Sequence, residues 1–167
     1  MKRILGLLFT VGLLFFSTVT CANAFIQSEY ELDVAATKVT ELAENDLLSL
    51  VYKNELIGYR LESFNMQTMQ YQRSAQFHAD NLHSLRGKLD VIQNSVDFSD
   101  TEKDMQSRQL YQEADAALSD LNSKTISYLI GLRDLMPTVT YQRYVKRFLE
   151  YYNDLDLTDV DLTIRTY

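Results

Sequence analysis

An all-α, antiparallel bundle of about four helices, built on a long helical hairpin and preceded by a signal peptide, is the architecture this sequence predicts. Three observations predict it. Breakers are scarce: beyond residue 24 there is one proline, Pro137, and only three glycines, Gly58, Gly87 and Gly131. No long alternating pattern of the kind a strand needs occurs before residue 155. The third is a seam at Ile57, Leu61, Phe64, Thr68, Tyr71, Ala75, His78, Leu82, Leu85, Leu89, Ile92 and Val96, spaced alternately four and three. That is the a/d spacing of a heptad repeat, and all but Thr68 and His78 are apolar, aromatic or alanine. At 1.5 Å per residue the seam is roughly 60 Å long, and a stripe of that length must be covered.

The first residues read as a leader rather than as part of the bundle. Met1-Lys2-Arg3 is basic, Ile4 to Phe16 is apolar, and Ala22-Asn23-Ala24 supplies the small residues a signal peptidase accepts. Cleavage after Ala24 would place the remaining chain in the periplasm or outside the cell. A lipoprotein attached at Cys21 is a weaker alternative, because Thr18-Val19-Thr20 lacks the leucine and small residue that normally precede the lipidated cysteine. An uncleaved anchor is a second alternative, on a segment a little short for a spanning helix. Membrane contact is expected only through this segment or a lipid on Cys21.

The first helix of the bundle is expected to begin at Ser28, with Glu31 three residues on completing a capping box. Leu32, Ala36, Val39, Ala43, Leu47 and Leu50 mark its apolar side. A bend or loop is expected near Tyr52-Lys53-Asn54 and Gly58; a helix unbroken from 29 to 96 would be ~100 Å long, too long for a domain of this size. The central helix ends near Asn94-Ser95, and Val96-Asp97-Phe98 connects to a second capping box at Ser99 and Glu102. A connection this short makes the next helix antiparallel to the central one. It carries Leu110, Ala114, Ala117, Leu121, Thr125, Tyr128, Leu132 and Leu135 on one side and runs to Pro137. A last helix, about Val139 to Asn153, presents Tyr141, Val145, Phe148 and Tyr152. The domain thus spans 25–154, and residues 155–167 alternate leucine and aspartate without selecting a structure.

Composition narrows function. Cys21 is the only cysteine, so the bundle has no disulfide, no thiol chemistry and no cysteine-based metal site. Net charge is −7, and about −9 without Lys2 and Arg3, since the first 24 residues contain no acid. That surface repels phosphate backbones, so no nucleic-acid partner is expected. Neither G-x-S-x-G nor C-x-x-C-H occurs, and no enzyme or cofactor is predicted. His83 lies roughly 140° around the helix from His78, so the two cannot chelate one ion. Met69, Asp80 and His83 would need a further ligand from elsewhere, and no metal is expected.

Two groups remain. Tyr141, Arg143, Tyr144, Lys146, Arg147 and Tyr151 combine tyrosine with a local basic strip in an acidic chain, the composition of interface hot spots. The competing reading makes the tyrosines core and lets the cations answer acidic neighbours. Thr68, Tyr71 and His78 are the polar members of the seam and mark a buried polar layer, with a ligand site as the lesser alternative. The function expected is a non-catalytic helical protein that binds another envelope or extracellular protein, as adaptor, chaperone-like factor, inhibitor or assembly subunit. An extracytoplasmic bundle sensing a small ligand between its helices is the alternative, and self-association through the seam is compatible with either.

Overall fold

The computed structural model describes residues 26–51 and 55–154. The expected signal segment, the Tyr52-Lys53-Asn54 bend and the 155–167 tail lie outside them. The described chain forms four α-helices: α1 (Glu29–Glu44), α2 (Tyr59–Asn94), α3 (Asp100–Leu132) and α4 (Thr138–Asp154). Short 3-10 turns at Leu47–Leu50 and Arg133–Leu135 join them. No strand occurs among the described residues.

The two long helices are one hairpin. At 36 residues α2 is about 54 Å long, and α3 at 33 nearly matches it. Their register is antiparallel: Thr68 meets Tyr128, Tyr71 meets Thr125, His78 meets Asp120, and Lys103 Nζ donates to the Gln93 carbonyl at the turn. The box at the start of α3 is complete, with the Ser99 hydroxyl accepting from Glu102 N–H and the Glu102 carboxylate accepting from Ser99 N–H at 2.9 Å.

The seam is shorter than the heptad reading made it. Phe64 to Leu89 are buried at every predicted position, and Ile92 is half-buried. Ile57 precedes the helix, Leu61 is exposed, and Val96 lies in the turn at 95 % exposure. Gly58 precedes α2 with φ +58° and ψ −139°, a conformation closed to side chains with a Cβ. That geometry, not the heptad spacing, sets where α2 begins.

Packing on α2, α1 also runs antiparallel, with Glu29 reaching Arg86 at one end and Gln72 meeting the last turn at the other. Its apolar stripe, Leu32, Ala35, Ala36, Val39 and Leu42, is fully buried. The predicted cap holds in half: Ser28 Oγ accepts from Glu31 N–H, but the Glu31 carboxylate takes Gln27 N–H instead of closing on Ser28. The helix stops at Glu44, short of the predicted Leu47 and Leu50. The carbonyls its end leaves open are taken from outside: Gln72 Nε2 donates to Ala43 and Asn45, and Tyr151 OH to Glu41. Leu47 still fills the core from the turn.

Pro137 precedes α4, and its carbonyl accepts Tyr141 N–H at 2.9 Å. The third helix ends at Leu132, short of Pro137, its last turn tightened to 3-10 geometry. Tyr144 approaches Tyr128, and Tyr152 approaches Asn122, so α4 runs back antiparallel to α3. Aromatic rings fill the space between α4 and the hairpin, holding its backbone further off than α1 stands from α2.

Candidate functional site

The helical register of α2 and α3 brings four hydroxyl-bearing side chains to one level, and α4 completes it. Thr68 Oγ1 lies 2.9 Å from Tyr128 OH, and Tyr128 OH lies 2.7 Å from Tyr144 OH. Beside them, Tyr71 OH lies 2.8 Å from Thr125 Oγ1. Thr125 spends its own proton on the Leu121 carbonyl one turn back, at 2.9 Å, so Tyr71 must be the donor of that pair. About two turns further along α4, Tyr152 OH donates to Asn122 Oδ1.

Rings enclose the layer. Tyr71 and Tyr128 stack with centroids 4.5 Å apart and planes 6° from parallel. Phe148 touches Tyr71, Tyr128, Tyr144 and Tyr152, and Phe64 meets Tyr144 edge-on at 5.5 Å. Burial raises the pKa of every tyrosine here, to about 12 for Tyr152 and further for Tyr71 and Tyr144. These phenols are therefore neutral donors and acceptors satisfying one another, with no basic oxygen to offer a substrate.

His78 does not join Thr68 and Tyr71. Seven residues beyond Tyr71, it sits roughly 10 Å along the axis, and no hydrogen bond links it to the layer. Its Nε2 lies 3.2 Å from Asp120 Oδ2, while Nδ1 is buried with no partner. Burial lowers its pKa and Asp120 only partly opposes that, so the ring is neutral, with its proton on Nε2 facing the carboxylate. His83 is exposed, within 3.2 Å of Thr40 Oγ1, and Asp80 accepts from Gln76. Among the described residues no group of three histidine, cysteine or carboxylate side chains could hold a metal, and none of their helices is long and apolar enough to cross a membrane.

The tyrosine–arginine strip of α4 is mostly internal. Tyr141 and Tyr144 are core residues at 6 % and 1 % exposure and cannot serve an interface. Tyr151 binds the α1 carbonyl of Glu41, Arg147 binds the Leu50 carbonyl at 3.3 Å, and Arg143 pairs with Glu55 at 2.7 Å. Lys146 is exposed, 3.8 Å from Glu150 one turn on. Arg143 and Arg147 thus brace the α1–α2 connection; burial removes Tyr141 and Tyr144 from the expected interface, while Arg143, Arg147 and Tyr151 are half-buried and Lys146 is exposed.

Instead, large apolar side chains stand exposed along the hairpin: Tyr59, Met66, Met69 and Phe77 on α2, then Val91, Val96 and Met105 around its distal end. Helical pattern reading missed those on α2 because residues opposite a strong seam are assigned to solvent by default, and it placed Val96 on the seam, whereas Val96 lies in the turn. What fold and site define is a four-helix bundle with a saturated tyrosine–threonine layer inside and apolar residues outside. Comparisons with protein-family models, curated proteins and solved structures gave no match.

Proposed function

We propose that this chain is a secreted or periplasmic, non-catalytic helical protein that acts by binding another envelope or extracellular protein. The observation that carries the reading is where the apolar surface lies. Seven large apolar side chains between Tyr59 and Met105 are more than half exposed, on the one hairpin that α1 and α4 leave uncovered on its outer side. Large apolar side chains left in water along one hairpin are costly there and are characteristic of contact sites. The small-ligand alternative draws no support from Thr68 and Tyr71, since their hydroxyls are already paired.

Site-specific photo-crosslinking in the producing cell tests this directly. A photoreactive side chain at Val96 or Met105 should form a discrete adduct with a second protein, and one at exposed Ser123 should not. No adduct at either tip position, or the same adducts at Ser123, would sink the reading. N-terminal sequencing of the chain recovered outside the cytoplasm should begin at Phe25; an intact Met1 there rejects the leader.

A further inference from the structure

Opposite its buried seam, α2 carries a second stripe in heptad spacing: Tyr59, Glu62, Met66, Met69, Arg73 and Gln76, separated by three, four, three, four and three residues. Every one of the six is exposed. The order of chemistry along it is self-complementary. Turned end for end about a point midway between Met66 and Met69, the stripe lays Met66 on Met69, Glu62 on Arg73, and Tyr59 on Gln76 with Phe77 beside it. Among the described residues neither Glu62 nor Arg73 has an ion-pair partner within its own chain.

From this we infer that α2 pairs with α2 of a second copy of this chain, antiparallel, around a two-fold axis between Met66 and Met69. The axis generates each contact twice. Four methionine side chains meet at the centre, where their flexible thioethers fill an irregular gap well. A Glu62–Arg73 pair closes each side of them, and a Tyr59–Phe77 aromatic contact closes each end. Electrostatics permit the approach. The chain as a whole carries −7, yet between Tyr59 and Gln76 the only charged residues are Arg60, Glu62 and Arg73, a local balance of +1. Two copies therefore meet through a stretch that does not share the negative charge of the chain as a whole. The stripe is about 27 Å long, at the small end of specific interfaces, and a dissociation constant of about 10–100 μM is expected. The pairing takes Tyr59, Met66, Met69 and Phe77 and leaves Val91, Val96 and Met105 uncovered, so crosslinking at the tip and self-association through the stripe are tested separately.

Sedimentation velocity on the purified protein, from about 2 to about 200 μM in 0.1 M salt, provides the test. The parent chain should pass from monomer to dimer across that range. Glu62→Arg alone and Arg73→Glu alone each set like charges opposite one another and should weaken the dimer more than about tenfold. The two single variants mixed in equal amounts should dimerise with each other, and the Glu62→Arg/Arg73→Glu double variant with itself. Circular dichroism checks that all remain folded, which their exposure favours. A parent that stays monomeric at 200 μM overturns the inference. So do single variants that dimerise as the parent does, a mixture that fails to recover, or assemblies larger than a dimer.

Discussion

Removing one oxygen from the hub of the buried layer isolates what that layer contributes. Tyr128 OH is shared between Thr68 Oγ1 at 2.9 Å and Tyr144 OH at 2.7 Å. Tyr128→Phe keeps the ring stacked on Tyr71 and against Phe148, so the packing is unchanged and the hydroxyl alone is lost. Tyr128 OH donates to one of these neighbours and accepts from the other, so both lose a partner in places water does not reach, Thr68 at 0 % exposure and Tyr144 at 1 %. Thr68 has a remedy, since a helical threonine can turn to the carbonyl four residues back. Tyr144 has none within reach of its rigid ring. With an orphaned buried hydroxyl costing about 1–3 kcal/mol beyond the lost bond, Tyr128→Phe should destabilise by about 2–3 kcal/mol. Tyr144→Phe leaves Tyr128 paired to Thr68 and should cost only about 1 kcal/mol. The double variant should cost less than the two singles together by at least about 1 kcal/mol, because the orphan that Tyr128→Phe creates is then gone. Urea unfolding followed at 222 nm, with a common slope, measures all three. If Tyr128→Phe costs no more than Tyr144→Phe, or the cycle is additive, the hydroxyls do not form the chain described.

Three further outcomes follow from the same interior. Unfolded tyrosines ionise near pH 10, whereas burial holds Tyr152 up to about 12 and Tyr71, Tyr128 and Tyr144 above their usual range. The folded state therefore binds more protons above pH 10, so stability is complete below pH 10 and falls as pH rises toward 12. Absorbance at 295 nm should show the buried set ionising only as helix is lost; their ionisation in one smooth transition near pH 10 with the helices intact would contradict this. Burial depresses the pKa of His78, so its contribution to stability is complete above about pH 6.5 and lost as pH falls. His78→Leu should gain on the parent in urea unfolding at pH 5 relative to pH 8, and a gap independent of pH would refute that. Gly87 is exposed within α2, and a Cβ there meets nothing within 4 Å. Gly87→Ala should therefore raise stability by about 0.5–1 kcal/mol in the same assay, whereas Gly58→Ala should lower it.

The hairpin was legible because its two signals are local. Ser99 and Glu102 fix the start of α3, and the run from Phe64 to Leu89 needs only periodicity to be seen. What periodicity cannot supply is a decision made across helices. Whether α1 ends at Glu44 or continues to Leu50 depends on Gln72 and Tyr151 reaching its last carbonyls from elsewhere in the bundle. Likewise, the α4 cations resemble an interface until Glu55 and the Leu50 carbonyl are seen beside Arg143 and Arg147. Thr68 and Tyr71 stood out as polar on an apolar seam. Their partners Thr125 and Tyr128 hid among the apolar positions of α3, because threonine and tyrosine serve both kinds of site.

Two stripes on opposite sides of α2 explain why this helix organises the fold without being strongly amphipathic. The inner stripe is uninterrupted from Phe64 to Leu89 and buries its two hydroxyl positions only where α3 and α4 answer them. Between Tyr59 and Gln76 the outer stripe repeats the same spacing with exposed side chains and, among the described residues, leaves a glutamate and an arginine without an ion-pair partner. A solvated helix face has no physical need for methionine at Met66 and Met69 or for aromatic rings at Tyr59 and Phe77. It also gains nothing from placing Glu62 and Arg73 at mirror-related distances from the two methionines. A face that is periodically covered requires both. The inner stripe acquired its partners from within the chain, and the outer one has the spacing, the length and the charge order to acquire its own from a second copy.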